Sequence, residues 1–208
     1  MSLFITFEGG EGCGKSVQSR ALYRYLVGLQ KPVILLHEPG GTRLGKSISY
    51  WLKWSRKTGI SPLAELLLFN ASRANLVDEV IRPALKNNGI VICDRFADST
   101  IAYQGYGRGL NLDGVKSASD IAMHGIKPDL TILLDVPVKE GLSRKKRMHS
   151  EGDRFEQAEV TFHERVHKGY LKMAKDEPAR WLIIDGLQSR EKIKDIIRLK
   201  INRLLEEK

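Results

Sequence analysis

Near its start the chain carries a glycine-rich segment with the spacing Gly, four residues, Gly-Lys-Ser, which reads Gly9-Gly10-Glu11-Gly12-Cys13-Gly14-Lys15-Ser16. Glycines let successive backbone N–H groups point into one concavity, and a helix that begins there adds a partial positive charge. Lys15 offers a cation to terminal phosphates, and the Ser16 hydroxyl is a ligand for Mg²⁺. The segment therefore predicts a site for a nucleoside triphosphate with magnesium. The alternative is a plain glycine-rich turn that caps a helix.

Glu11 places a carboxylate inside this segment. An acid beside bound phosphates is repelled unless it meets a metal, a sugar hydroxyl or a cation. Glu11 therefore indicates such a partner, although a side chain that simply points into solvent is the alternative.

An acidic residue and a basic residue, Asp94-Arg95, follow the apolar run Ile90–Cys93. An acid at the end of a buried strand is the usual partner of the Mg²⁺ shell in phosphate-loop enzymes. Arg95 offers a planar fork of N–H groups to a phosphate. The alternative is an ion pair with a purely structural role.

Two further groups of side chains suit a nucleobase and its sugar. Phe69 and Arg73 are four residues apart in a helical pattern, so a ring and a guanidinium would share one face. A ring can stack on a base, and a guanidinium can donate to its exocyclic oxygen. If the chain is helical after Asp98, a hydroxyl, a phenol and an amide share another face, on Thr100, Tyr103 and Gln104.

The elements that position these residues alternate between strands and helices. Five short apolar runs predict strands over Leu3–Phe7, Val33–Leu36, Ile90–Cys93, Leu130–Leu134 and Trp181–Ile184. Helical patterns lie between or after them, at about 15–29, 45–57, 61–87, 112–124, 138–147, 157–176 and 189–206. This alternation predicts an α/β fold with a parallel sheet covered by helices on both faces. Ligands of such sheets bind at the carboxyl edge of the strands, where the residues singled out above would meet.

Composition places the chain among ordinary globular proteins and predicts one domain over 208 residues, with 42% hydrophobic and 28% charged residues. We expect no membrane span and no signal peptide, and we expect Cys13 and Cys93 to be reduced thiols in a cytoplasmic protein. The net charge of +9 fits either anionic small substrates or nucleic acid. We expect small nucleotides as the partners, and neither nucleic acid nor a membrane.

Taken together, these segments resemble thymidylate kinases along essentially the whole chain and in the same order. The resemblance rests on the phosphate loop with its internal acid and on Glu38-Pro39-Gly40-Gly41-Thr42, Leu68-Phe69-Asn70-Ala71-Ser72-Arg73-Ala74, Asp94-Arg95-Phe96, Ser99 to Gly105, and Asp153-Arg154-Phe155-Glu156. It implies transfer of the γ-phosphoryl group of ATP to dTMP with Mg²⁺. It also implies a three-layer P-loop NTPase fold with a five-stranded parallel sheet, and a homodimer.

The resemblance also implies roles for individual residues. ATP would be held by the phosphate loop, with the adenine near Arg144, which gives Gly9, Gly10, Glu11, Gly12, Cys13, Gly14, Lys15, Ser16, Val17 and Arg144. The dTMP site would comprise Glu11, Glu38, Pro39, Phe69, Arg73, Arg95, Thr100, Tyr103 and Gln104. Within it, Thr100 or Gln104 would read the ring N–H, and Tyr103 would pack under the deoxyribose. Ser16 and Asp94 would serve Mg²⁺.

A lid at about 144–156, rich in charge, would carry the catalytic arginines Arg147 and Arg154, which act together with Lys15 and Arg95. A phosphate-loop arginine, which some members use instead, is replaced here by Gly12. Two alternatives remain open from the sequence. One is a related kinase that acts on dUMP, UMP or CMP, and the other is a P-loop ATPase that binds nucleic acid.

Overall fold

The computed structural model describes residues 2–54, 59–148, 155 and 158–206. Five parallel strands form one sheet in the order β2-β3-β1-β4-β5. Their bounds are β1 Leu3–Glu8, β2 Val33–His37, β3 Ile90–Asp94, β4 Leu130–Asp135 and β5 Trp181–Asp185. All five predicted strands are confirmed, and each continues one residue further than expected, to a polar or acidic residue at the carboxyl edge.

The helices alternate with the strands as predicted. They are α1 Lys15–Gly28, α2 Arg43–Trp54, α3 Pro62–Leu76, α4 Arg82–Lys86, α5 Ala97–Thr100, α6 Leu112–Met123, α7 Val138–Met148, α8 Val160–Asp176 and α9 Arg190–Glu206. The predicted helix at 45–57 begins earlier, at Arg43, and the one at 157–176 begins later, at Val160. Part of the predicted lid, up to Met148, continues α7, and most of the remainder lies outside the described residues.

The expected single helix over 61–87 is interrupted. A π-helical segment, Val77–Ile81, separates α3 from α4. Pro83 gives a physical reason, because proline has no N–H to donate and its ring collides with the carbonyl one turn earlier in a regular α-helix. A second π-helical segment, Ile101–Gly107, follows α5 and carries Tyr103 and Gln104. The helical geometry expected after Asp98 is therefore present with a wider turn.

Apolar side chains fill both faces of the sheet, which explains why the strands read as nearly continuous apolar runs. On one face Leu3 and Ile5 pack with Leu26 of α1 and Ile197 of α9. On the other face one cluster joins β1 and β3 to α3, and another joins β4 and β5 to α8. The strands of this sheet are thus sandwiched between two helical layers, and their polar ends are free to line a site.

Within the described residues, no helix is both long enough and apolar enough to cross a membrane.

Candidate functional site

A cavity of about 1110 Å³ opens at the carboxyl edge of the sheet. It brings together nearly all the predicted site residues that the structure describes: Glu11, Gly12, Cys13, Gly14, Lys15, Ser16, Val17, Glu38, Pro39, Phe69, Arg73, Asp94, Arg95, Thr100, Tyr103, Gln104, Arg144 and Arg147. Gly9 and Gly10 do not line it and contribute backbone carbonyls behind it. Arg154 lies outside the described residues, as do Asp153 and Glu156.

The phosphate loop connects β1 to α1, as its position after an apolar run predicts. Lys15 is buried, and its Nζ donates to the carbonyl oxygens of Gly9 at 3.0 Å and Gly10 at 2.7 Å. These bonds fold the lysine back over its own loop, so that its ammonium group stays beside the concavity. Gly14 begins the helix with a φ of +98°, a conformation that favours glycine.

Gly12 lies against the first turn of α7. A Cβ on Gly12 would come within 2.0 Å of the carbonyl oxygen of Gly141, and a Cβ on Gly141 would come within 2.3 Å of the carbonyl oxygen of Glu11. The phosphate loop and the helix that leads into the lid therefore touch through two residues without side chains. This contact leaves no room for an arginine at position 12.

Ser16, at the start of α1, contacts Asp94, the last residue of β3, and the Ser16 hydroxyl donates directly to the Asp94 carboxylate. Oxygen ligands of this kind suit Mg²⁺, which keeps several waters and takes phosphate oxygens as further ligands. No group of three or more histidine, cysteine or acidic side chains that could hold a metal occurs among the described residues.

Arg95 stands at the centre of a polar network. Its backbone φ of +72° turns the chain away from β3 and points the guanidinium toward the phosphate loop. Nη2 donates to Glu11 Oε1 at 2.8 Å and to the Tyr103 hydroxyl at 3.1 Å, and Nη1 donates to the Ser99 hydroxyl at 3.2 Å. The guanidinium also lies 5.0 Å from the centre of the Tyr103 ring.

The charge of Glu11 is fixed by this network. Burial would raise the pKa of Glu11, but Arg95, Lys15 and a 2.6 Å hydrogen bond from the Tyr103 hydroxyl together lower it to about 2. Burial raises the pKa of Tyr103 well above its ordinary range, so the phenol keeps its proton and donates. Glu11 is therefore an anion that meets a cation, which is one of the partners expected from the sequence.

Arg73 organises the deep end of the cavity and is only 1% exposed. Its Nε donates to Glu38 at 2.9 Å, Nη1 to Asn70 at 2.9 Å and Nη2 to Thr100 Oγ1 at 2.8 Å. Burial raises the pKa of Glu38 above its ordinary value, and the charge and hydrogen bond of Arg73 offset this only in part. Glu38 Oε1 is buried and has no hydrogen-bond partner within the described parts of the chain. A polar group is thus ready for a ligand or a water beside Arg73.

Aromatic rings form one wall of the cavity between the phosphate loop and Arg73. The Phe69 ring lies 5.8 Å from that of Phe155, and Phe155 in turn lies 6.2 Å from Tyr103. Phe155, which belongs to the predicted lid, is buried in this cluster. The wall offers flat apolar surface, which suits a stacked base.

Two lid-side arginines lie at the phosphate end of the cavity. Arg144 donates to Glu140 at 2.7 Å and to the carbonyl oxygen of Gly186 at 3.1 Å, which ties it to the loop after β5. Arg147 is 69% exposed and lies 3.7 Å from Glu140. Of the two guanidinium groups, that of Arg147 is the more exposed and the less tightly bonded, since its other contact within the described part of the chain is a 3.4 Å hydrogen bond to the carbonyl oxygen of Ser143.

Comparisons with known proteins point to a single family. A family model described as thymidylate kinase matches residues 7–197. A thymidylate kinase of Dehalococcoides mccartyi is 55% identical, with 99% of both chains covered, and one of Roseiflexus castenholzii is 45% identical, with 95% of this chain and 91% of the relative covered.

The chain belongs to the thymidylate kinase family. The crystal structure of a thymidylate kinase from Ehrlichia chaffeensis has a TM-score of 0.75 against this chain, at 35% identity and with 98% of both chains covered. The predicted three-layer P-loop NTPase fold is thereby confirmed, as is the resemblance drawn from the motifs.

Sequence reasoning missed several buried charges that support the site. Glu8, at the end of β1, accepts hydrogen bonds from the Phe96 N–H at 2.8 Å, the Ser99 hydroxyl at 2.6 Å and the Tyr170 hydroxyl at 2.9 Å. Asp98 pairs with Arg180 through two bonds of 2.7 and 3.0 Å. The sequence holds one signal that could have identified Glu8, namely an acid directly after an apolar strand. It holds no signal near Asp98 that could have identified Arg180 as its partner.

Proposed function

We propose that this protein transfers the γ-phosphoryl group of ATP to dTMP and releases ADP and dTDP. The observation that carries the proposal is that one cavity holds a phosphate loop at one end, the Phe69 and Arg73 side chains at the other, and Tyr103 between them, hydrogen-bonded to Glu11. Membership of the thymidylate kinase family supports the same reaction. Both substrates are polyanions, so a cavity rich in cations favours their approach.

At the ATP end, Lys15 and the backbone of the phosphate loop would bind the phosphates, and Arg144 would lie near the adenine. Ser16 and Asp94 would hold Mg²⁺, which supplies positive charge to the phosphate oxygens when bound. Their direct contact and their oxygen chemistry support this assignment.

At the dTMP end, Arg95 would bind the phosphate, and Tyr103 would lie under the deoxyribose, where a 2′-hydroxyl would collide with it. Phe69 would stack on the thymine.

The thymine carbonyl oxygen would accept a hydrogen bond from Arg73. Asn70 accepts only one of the two N–H bonds of Arg73 Nη1, which supports the other as the donor to that oxygen. The cluster of Glu38 and Pro39 would close this end.

The chemistry needs alignment more than proton transfer, because the attacking oxygen belongs to a phosphate that is already ionised. We propose that Arg147 and Arg154 stabilise the charge that spreads over the equatorial oxygens as the lid closes. The steric contact at Gly12 supports this lid assignment, since the phosphate loop has no space for an arginine of its own.

We further propose a homodimer and a cytoplasmic location, in keeping with the family. Large apolar side chains are exposed on three helices, with Trp51 on α2, Leu63 and Leu67 on α3, and Ile121, which is 79% exposed, on α6. Since α3 packs against both α2 and α6, these side chains lie on neighbouring helices. Light scattering should give twice the chain mass, and Leu67→Glu should lower it; a monomeric wild type would refute the dimer.

One assay tests the reaction itself. The protein is mixed with ATP, Mg²⁺ and, in turn, dTMP, dUMP, UMP or dCMP, and ADP release is followed. We expect dTMP to give the highest kcat/KM. One methyl group in an apolar pocket is worth about 1–3 kcal/mol, so dUMP should be the nearest competitor. No ADP release with dTMP, or faster release with UMP, would overturn the proposal.

A further inference from the structure

Behind the base end of the cavity lies a buried carboxylate to which the proposed mechanism gives no role. Glu65, in the first turn of α3, is 0% exposed. Its Oε1 accepts from Gln104 Nε2 at 2.8 Å and from Arg108 Nε at 3.2 Å, and its Oε2 accepts from Arg108 Nη2 at 3.3 Å. The Arg108 side chain is 25% exposed, so the pair takes the carboxylate fully out of water but leaves its cation partly solvated, which makes it weak evidence for stability alone and favours a positioning role.

Gln104 is the residue that Glu65 can position. The two ends of a glutamine amide have nearly the same shape, but one donates hydrogen bonds and the other accepts them. A carboxylate without a proton only accepts, so Glu65 holds the NH₂ end of Gln104 toward itself. Gln104 lines the cavity, and its Oε1 accepts no hydrogen bond from any residue that the structure describes. The acceptor end is therefore left for a ligand.

Arg108 holds the Glu65 carboxylate in place together with Gln104. Its two N–H bonds reach both carboxylate oxygens, which restricts rotation of the carboxylate. The Arg108 guanidinium is itself placed 4.7 Å from the centre of the Phe162 ring. The π-helical segment Ile101–Gly107 directs Gln104, and Arg108 directly after it, onto the same carboxylate oxygen. The orientation of the amide is thus built into the local backbone.

We propose that Glu65 is a positioning residue for base selection, and this inference rests on the proposed function. By fixing the amide of Gln104 with its carbonyl oxygen toward the cavity, Glu65 favours pyrimidines whose N3 carries a proton, thymine and uracil, over cytosine, whose N3 is an acceptor. Thr100 is the weaker candidate as acceptor, because its Oγ1 already receives a hydrogen bond from Arg73 at 2.8 Å.

Glu65→Gln is the direct test, because it keeps the shape and removes the acceptor-only character. We expect the KM for dTMP to rise roughly 10-fold and the ratio of kcat/KM for dTMP over dCMP to fall roughly 10-fold or more, as for a hydrogen bond lost in a buried site. The KM for ATP and the kcat with dTMP should change by less than about 3-fold, because the phosphates react at the other end. An unchanged dTMP-to-dCMP ratio overturns the proposal.

Two controls separate base selection from a general structural role. Glu191→Gln removes an exposed carboxylate that pairs with Lys194 on α9, and it should change neither KM nor the ratio. In a Gln104→Leu background, Glu65→Gln should alter the ratio by less than about 2-fold, because the residue through which it acts is gone. Full additivity of the two changes, or an equal loss toward ATP and both pyrimidines, overturns the proposal.

Glu65→Asp is a second variant in case Glu65→Gln does not fold. It keeps the carboxylate but withdraws it by one methylene, so the ratio of kcat/KM for dTMP over dCMP should fall by a smaller factor. An unchanged ratio contradicts the proposal.

Binding of dTMP and dCMP is also measured by calorimetry without ATP. Wild type that binds dTMP over dCMP but gives no ADP would refute the proposed reaction alone. Wild type that phosphorylates dTMP while the Glu65 variants keep its selectivity would refute this inference alone.

Discussion

Replacing Glu8 by glutamine should remove a loss of stability that the wild type shows as the pH rises toward 7, although Glu8 accepts three hydrogen bonds. Burial raises the pKa of Glu8, the nearby Asp98 raises it further, and the Ser99 hydrogen bond and Arg95 lower it in part, which leaves it at about 7. The side chain is 0% exposed. Glutamine has the same shape, and its NH₂ group can donate to the hydroxyl oxygens of Ser99 and Tyr170 after these rotate.

The magnitude follows from proton linkage. The pKa of Glu8 rises from 4.5 to about 7 on folding, and each tenfold change in proton affinity is worth about 1.4 kcal/mol, so the difference is about 3 kcal/mol. Between these two pH values the folded protein holds a proton that the unfolded chain has lost. The free energy of unfolding of the wild type therefore falls as the pH rises from 4.5 through 7, whereas glutamine has no such loss. Glu11 does not interfere, because its pKa of about 2 confines its own effect to lower pH.

Urea unfolding at several pH values between 5 and 8 measures this effect. The stability of Glu8→Gln minus that of the wild type should grow with pH by up to about 3 kcal/mol over the window from 4.5 to above 7. His163, whose pKa is lowered by burial, titrates in both proteins and cancels in the difference. Glu191→Gln, on an exposed face, should show a difference that stays constant over the same range. A constant difference for Glu8→Gln as well would refute the reasoning.

Three further changes test the site. Lys15→Ala should abolish turnover in a folded protein, since its ammonium group is the cation of the phosphate loop, and a well-folded variant with normal kcat would remove that role. Tyr103→Ala should raise the use of UMP relative to dTMP in the ADP-release assay, and an unchanged ratio would move sugar discrimination elsewhere. Gly141→Ala should raise the KM for ATP roughly 10-fold, because its Cβ would meet the Glu11 carbonyl oxygen at 2.3 Å, although alanine favours helices by about 1 kcal/mol. Gly114→Ala on α6 is its control, since its Cβ would come no nearer than 3.6 Å to another residue, and equal effects of the two would contradict the steric argument.

The strands and the phosphate loop were predictable because their signals are local. A parallel strand buried on both faces is an almost unbroken run of apolar residues, and Leu3–Glu8 and Leu130–Asp135 have that pattern. The motif that ends in Lys15-Ser16 has fixed spacing, and the polar residues after β3 had to reach the same edge. The cavity that joins them follows from these facts together.

The supporting charges were not predictable, because a buried charge looks solvated until its partners are known. Glu65 stands in an apolar helix, and its partners Gln104 and Arg108 lie 39 and 43 positions away in the sequence. The π-helical segment that brings them together has no compositional signal of its own, since it shows the same apolar spacing as an α-helix over a few residues. Arg73 was singled out from the sequence and lines the cavity, but its bond to Glu38, 35 positions away, depends on where the loop after β2 lies relative to α3.

A crystal structure of the protein with dTMP and a non-hydrolysable ATP analogue tests the central claim most directly. We predict that both nucleotides occupy the one cavity end to end, with the ATP phosphates on Lys15, the dTMP phosphate on Arg95, and the thymine stacked on Phe69 beside Gln104. Thymidine nucleotide bound elsewhere, or oriented with its base toward the phosphate loop, would contradict the account.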